Sequence, residues 1–373
     1  MELYMLHPVE YEKLYNCSVY NIEEIPLEKR TNKLLGACFI VLFFVFETLY
    51  IPCIFAIRKH INQPCYKFMF AIGITDVICL CINGLLTGYF AMTGAVFCSC
   101  PNLIYIAGCF GMALWVMESV SAILLAINRC IEISAPKLGA RLYDGHRTWL
   151  WISIPLLYST YFFVFTKPVL FSGLFLSWFF NPHVGYLDDF GTIYHSIHHF
   201  VHNITVLIGL IGLYAVFVIV FTFKTSSYGK SSAYQSQSKS KKIFQKASFI
   251  QVFVISFVNA SAAGIYVYMQ FFRISDVIIV LGQLFWICAH GIPSVIYLAM
   301  NKTIRKECLR MIQKPLNLLG ANLINLNFAS SQVNPTSMTD ARQSRTAKAS
   351  QGMKENGERK LENVAVKVLE AVS

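Results

Sequence analysis

Residues 102–128 read NLIYIAGCFGMALWVMESVSAILLAIN, a run with one acidic side chain, Glu118, and no basic one, that ends at Arg129. About 20 mostly apolar residues cross the hydrocarbon core of a bilayer as a helix. The stretch therefore predicts a membrane span, opened by Pro101, a good first-turn residue. Six more stretches of this kind lie at 34–57, 68–92, 149–167, 202–223, 248–271 and 277–300. Apolar residues make up 55% of the chain and charged residues 14%, against about 25% charged in a soluble domain. The predicted fold class is an all-α membrane protein, a bundle of seven transmembrane helices.

The basic residues orient that bundle. With the N-terminus outside, 25 of the 31 Lys and Arg fall on the inner side, and only Lys13, Lys29, Arg30, Lys33, Lys167 and Arg273 fall outside. Basic short loops stay in the cytosol, so the expected arrangement has an outer N-terminus and a cytoplasmic C-terminus. Four regions follow. Residues 1–33 form an extracellular segment and 34–300 the bundle. Residues 301–313 form an amphipathic helix on the membrane surface, and 314–373 a disordered cytoplasmic tail with a helical stretch near 357–371. On the surface helix Ile304, Cys308, Leu309 and Ile312 face lipid, and Lys302, Arg305, Lys306 and Arg310 face water and headgroups. The loop from Lys224 to Lys242, rich in Ser and Lys, is expected to be flexible. The net charge of +11 lies beside membrane ends, which points to anionic lipid and away from nucleic acid. The first 33 residues carry six Glu, four Lys or Arg and no apolar run. No cleavable signal peptide is expected there, so the first span acts as its own signal.

Several residues mark chemical modification. Asn16-Cys17-Ser18 is a glycosylation acceptor triplet on the predicted outer side. Asn203-Ile204-Thr205 sits at a membrane edge, too close to be modified, and Asn301-Lys302-Thr303 is on the cytosolic side. Three of the twelve cysteines, Cys17, Cys98 and Cys100, lie outside and allow one disulfide with one thiol left over. Cys308 on the surface helix is placed for S-palmitoylation. The apolar stretch from Val169 to Phe180 reads either as an extension of the fourth helix or as a flap in the second outer loop.

Ionisable groups inside a bilayer are costly and informative. Asp76 lies mid-way along the second span, and Glu118 about three turns before Arg129 on the third. Two carboxylates at similar depth, with Ser119 beside them, could share a proton or hold a cation. Asn128-Arg129-Cys130, with Glu132 close by, could lock the inner ends of the helices. Tyr105, Gly108, Met112 and Trp115 share one face of the third span, and Gln283, Trp286 and His290 one face of the seventh; these are candidate pocket linings. His195, His198, His199 and His202 share a helical face at the outer mouth of the fifth span and suit a pocket rim better than a metal site. A GxxxG pair, Gly84 and Gly88, signals close helix packing. No hydrolase elbow, zinc-protease motif or P-loop occurs, so no catalytic residue, metal or cofactor is expected.

Seven spans, an Asp in the second and an Arg ending the third resemble a G-protein-coupled receptor. The finer resemblance is to the nematode Srt-type serpentine chemoreceptors. It rests on Leu49-Tyr50-Ile51-Pro52, Cys65-Tyr66-Lys67, Gly73-Ile74-Thr75-Asp76, Asn128-Arg129 with Glu132, Trp178-Phe179-Phe180-Asn181-Pro182, and His290-Gly291-Ile292-Pro293 through Tyr297. Their order covers about residues 15–310. The resemblance implies a plasma-membrane receptor, in a sensory neuron's cilium, that binds a small external molecule. It also implies a heterotrimeric G protein docking near Arg129, with Pro293 and Tyr297 in the switch. The chain departs from the broader rhodopsin-like pattern in four ways. Asn128 stands where an acidic partner of the Arg is usual. Ile292-Pro293 replaces the Asn-Pro element, with Tyr297 one position late. The sixth span has no proline. The second outer loop has no cysteine, so Cys98 or Cys100 is left to pair with Cys17. The rival class is a seven-span transporter or proton-coupled carrier using Asp76 and Glu118. The sequence shows neither the internal repeats nor the broken helices that such carriers show.

Overall fold

The computed structural model describes residues 1–189, 193–228, 235–272 and 275–313; for 217, 220, 221, 223–228, 235–249 and 252 only the backbone is described. The expected tail, 314–373, with its helical stretch near 357–371, lies outside the described residues. A first compact unit spans Met1–Cys308, and the described residues from Leu309 on fall outside it.

The first unit contains seven helices long and apolar enough to cross a membrane. They are Lys33–Arg58, Pro64–Thr93, Pro101–Ser134, Arg147–Phe165, Ile197–Tyr228, Gln235–Phe271 and Asp276–Met300, the second interrupted by a π-helical turn at Cys81–Leu86. The third span is the central one. Its most apolar stretch is 67% buried, against 28% in the fourth, fifth and sixth, and it touches the second, fourth, fifth and sixth spans. The seventh packs on the first, second and sixth. The fifth and sixth helices run on to Tyr228 and back to Gln235, so most of the loop expected to be flexible is helical. Gln235 to Ser248 contains no Gly or Pro and is rich in Lys and Gln, which propagate a helix already nucleated in the membrane. Residues 229–234 of that loop lie outside the described residues.

Local chemistry sets the helix ends. The Asn32 side chain accepts the Leu35 N–H at 3.0 Å and caps the first span. Gly94, in the left-handed region at φ +67°, ends the second. The GxxxG pair is a true close approach. A Cβ on Gly88 would sit 2.6 Å from the Gly36 carbonyl, so the first and second spans meet through backbone.

The face of the bundle that carries the N-terminal segment, called the near face below, is covered by a cap. Residues 170–179 form a hairpin, β1 (Leu170–Ser172) and β2 (Ser177–Phe179), with Phe171 opposite Trp178. Of the two readings of this stretch, the flap is the one observed; the fourth helix stops at Phe165, two residues before Lys167-Pro168. The hairpin bridges Ser172 to Val96, and Gly173 N–H donates to the Ala95 carbonyl at 2.8 Å. A Cβ on Gly108 would meet the Val169 carbonyl at 1.7 Å, so only glycine lets the hairpin lie on the third span. Cys17 and Cys98 are joined by a disulfide, and Cys100 is free. Buried Arg30 donates to the carbonyls of Ile25 (2.9 Å) and Gly94 (3.0 Å) and to Glu23 (3.2 Å). Segment, loop and hairpin thus form one cap.

At the opposite, far face, helical turns follow the seventh span from residue 302. Ile304 and Cys308 do not face lipid. Both are buried against the bundle, and the Cys308 thiol lies beside Cys53 of the first span, whose own thiol donates to the Ser294 carbonyl at 3.8 Å. An ion pair between Lys59 and Glu307 at 2.9 Å holds this turn in place. Of the stripe expected to face lipid, Ile304 and Cys308 are thus turned inward, while Ile312 is exposed.

Candidate ligand cavity and intramembrane polar core

Two adjoining cavities open beneath the cap. The outer one encloses about 430 Å³ and is lined by Trp178, Phe179, Phe180, Tyr194, His195, Gln270 and Phe271 among others. Small-molecule sites run to about 300–1,000 Å³. The deeper one, about 20 Å³, is lined by Met112, Trp115, Asn203, Ala262 and Trp286, and shares Val169, His199 and Tyr266 with the first. It has room for one water-sized group.

Of the residues expected to line a pocket, Met112, Trp115 and Trp286 line the deeper cavity. Three others are placed elsewhere. Tyr105 is buried under the N-terminal segment, ringed by Tyr4, Tyr11 and Tyr15 at centroid distances of 5.1–5.3 Å, and lines a separate cavity of about 350 Å³ with Met1, His7 and Lys167. Gln283 donates to the Asn83 carbonyl at 2.9 Å and accepts from Tyr266 at 3.4 Å. His290 lies one turn deeper than Trp286 and is taken by Asp76. The shared helical face was legible, but its depth and its cap were not.

A polar chain forms the wall between the cavities. Trp115 Nε1–H donates to Asn203 Oδ1 at 2.9 Å, and the Asn203 amide donates to His199 Nε2 at 3.0 Å. An indole N–H only donates, so it fixes the Asn203 amide, and that in turn makes His199 Nε2 the acceptor. The His199 proton therefore sits on Nδ1, 2.6 Å from the Gln270 amide, which must present its oxygen. His202 meets Ser119 at 3.1 Å and His198 meets Tyr161 at 3.0 Å. Three of the four histidines thus diverge to different partners, while His195 Nε2 has no hydrogen-bond partner among the described residues.

Below the cavities lies a buried ionisable core. Asp76 is fully buried: the Tyr50 hydroxyl donates to Oδ2, and His290 Nδ1 lies 2.7 Å from Oδ1. Glu118, also fully buried, accepts from Asn259 at 3.3 Å. No hydrogen bond joins Asp76, Glu118 and Ser119 to one another among the described residues. The two carboxylates have separate partners, and the Ser119 hydroxyl donates to the Trp115 carbonyl at 2.7 Å. Imidazole from the seventh span occupies the place beside Asp76 that a second carboxylate was expected to take.

The expected switch residues fall in two places. Arg129 and Glu132 pair at 3.6 Å, one turn apart on the third helix, so the acidic partner missing at Asn128 is supplied three residues on. Asn128 and Cys130 are buried. Pro293 and Tyr297 instead line a cavity of about 20 Å³ with Glu118 and Ser256. Asn16 lies in the cap, its Oδ1 accepting the Ser18 N–H at 2.8 Å.

Sequence reasoning passed over Tyr50, Asn203 and Asn259. Each is a polar residue inside a span, the signal that drew attention to Asp76, but Asn203 was read as a glycosylation triplet and Tyr50 only as part of a motif.

A profile of the serpentine type 7TM GPCR chemoreceptor Srt family matches residues 1–318. Serpentine receptor class T-55 of Caenorhabditis elegans is 28% identical over 255 residues, 66% of this chain and 65% of that protein. The chain thus matches slightly less than two thirds of that relative's length.

Proposed function

The chain belongs to the Srt family of serpentine seven-transmembrane chemoreceptors, and from that premise we propose that it is a plasma-membrane receptor of a sensory cilium, with its near face outside. It binds a small external molecule in the cavity beneath the cap and activates a heterotrimeric G protein at the far face. The observation that carries this reading is on the seventh span. Trp286 lines the deeper cavity, and one turn below it His290 bonds Asp76 at 2.7 Å. Anything that displaces Trp286 is felt at a buried link between the second and seventh spans. A ligand then works by differential affinity for two arrangements of those spans.

The excess of Lys and Arg on the far side supports the orientation. Arg129, held by Glu132 on its own helix, is the group that the G protein competes for. Replacing Arg129 by Ala should abolish G-protein activation, measured as nucleotide exchange in reconstituted membranes, with surface expression unchanged. An undiminished response would refute the assignment. An N-terminal tag that labels only after permeabilisation would refute the orientation.

A further inference from the structure

Two lining residues of the cavities carry a buried ring nitrogen with no hydrogen-bond partner among the described residues: Trp286, by its Nε1, in the deeper cavity, and His195, by its Nε2, in the outer one; only the indole nitrogen is a donor whatever its protonation. The other polar groups of that wall are engaged. Trp115 donates to Asn203, Asn203 to His199, and Tyr266 to Gln283. An indole nitrogen is a donor only, so the unmet valence has one sign and calls for an acceptor. Nothing that lines the deeper cavity is acidic or carries a permanent positive charge, and an ion pays heavily to enter such a place unpaired. The outer cavity carries Asp188 and Asp189, but neither is without a partner; both oxygens of Asp189 accept backbone N–H groups, of Ile193 (2.9 Å) and Tyr194 (3.0 Å).

We infer that the ligand is a neutral molecule with one small acceptor head, a carbonyl or similar oxygen, that takes the Trp286 N–H, while its apolar body lies in the outer cavity against Trp178, Phe179 and Phe271. The volumes fit this division: about 20 Å³ admits one oxygen-bearing group, and about 430 Å³ admits the body. A protonated amine brings a donor to a donor and is excluded. A carboxylate brings acceptors but finds no cation in the deeper cavity. The inference rests on the receptor reading above and adds the ligand's chemical class.

The test uses the full chain in nanodiscs and a matched set of probes: 2-octanone, octylamine and octanoate. Binding is read by tryptophan fluorescence and signalling by nucleotide exchange on added G protein. The ketone should bind and signal, with the amine and the acid at least tenfold weaker. Trp286→Phe keeps the ring and removes the N–H; it should weaken the ketone about tenfold, the scale of one hydrogen bond in a dry site. Ala262→Leu, which fills the head cavity, should abolish ketone binding in a receptor that still reaches the surface. Preference for the amine or the acid, or ketone binding indifferent to both substitutions, would overturn the inference while leaving the receptor reading intact. Absence of any nucleotide exchange with all three probes, with the ketone still bound in a Trp286-dependent way, would overturn the receptor reading and leave the site chemistry standing. No binding by any probe would overturn the inference.

Discussion

His290 Nδ1 sits 2.7 Å from Asp76 Oδ1 with both side chains fully buried, and the Tyr50 hydroxyl takes the other oxygen of the same carboxylate. Three spans, the first, second and seventh, meet at one ionisable group. Stripping one partner from such a pair costs about 3–5 kcal/mol, because the other is left buried and unpaired. His290→Ala should therefore lower the thermal midpoint of the purified receptor sharply. Asp76→Asn should cost less, since the amide keeps the shape and one acceptor. A double-mutant cycle should give a coupling of more than about 1 kcal/mol. Additive effects would mean that the two residues act independently.

The Cys17–Cys98 disulfide closes a loop of 81 residues. Closing a loop of this length is worth about 4 kcal/mol by its effect on the unfolded chain. Cys98→Ser should destabilise the cap and expose the buried Arg30 to trypsin. Cys100→Ser should leave both the melting profile and the digestion pattern as they are. The reverse result would mean that the free and bonded cysteines are exchanged.

Burial under the cap holds the His183 imidazole below its ordinary pKa. The ring packs against Tyr20 at 5.4 Å and Tyr194 at 6.2 Å. The opened cap takes up a proton near pH 6.5, before the closed one does. Cap stability is therefore intact above about pH 6.5 and falls as the pH drops below that value. Hydrogen exchange in residues 181–187 should accelerate between about pH 6.5 and 5. His183→Gln should flatten that dependence; an equally steep profile in the variant would place the titration elsewhere.

Cys308 is buried against Cys53, so metabolic labelling with a palmitate analogue should give no Cys308-dependent signal. Cys53→Ala, which removes its partner, should leave membrane attachment unchanged, because the spans already fix the chain. Labelling that disappears in Cys308→Ser would show that this turn detaches from the bundle.

The bundle was legible because crossing a bilayer is a one-dimensional demand: length and apolarity in the sequence suffice. The third span is the clearest case, expected at 102–128 and found at Pro101–Ser134. The site was legible only by face. Met112, Trp115 and Trp286 share a cavity as their helical positions suggested, because period and depth agree for them. Tyr105 does not, because a segment 90 residues away in sequence folds over it. His290 does not, because its partner lies on another helix, and pairing across helices leaves no mark in the spacing of either one. Asn203 shows the same limit in reverse: a motif readable as a surface signal is a buried rivet to Trp115.

The cap described above is continuous. The strand bridge at Val96 and Ser172, the Arg30 contacts and the disulfide tie the hairpin to the loop and the N-terminal segment, and the Trp178 indole donates to Thr87 at 2.8 Å, pinning the hairpin to the second span. Such a roof lifts as a unit or not at all. The consequence is temporal. On the receptor reading proposed above, loosening any one of these ties should shorten the stay of a molecule beneath the roof.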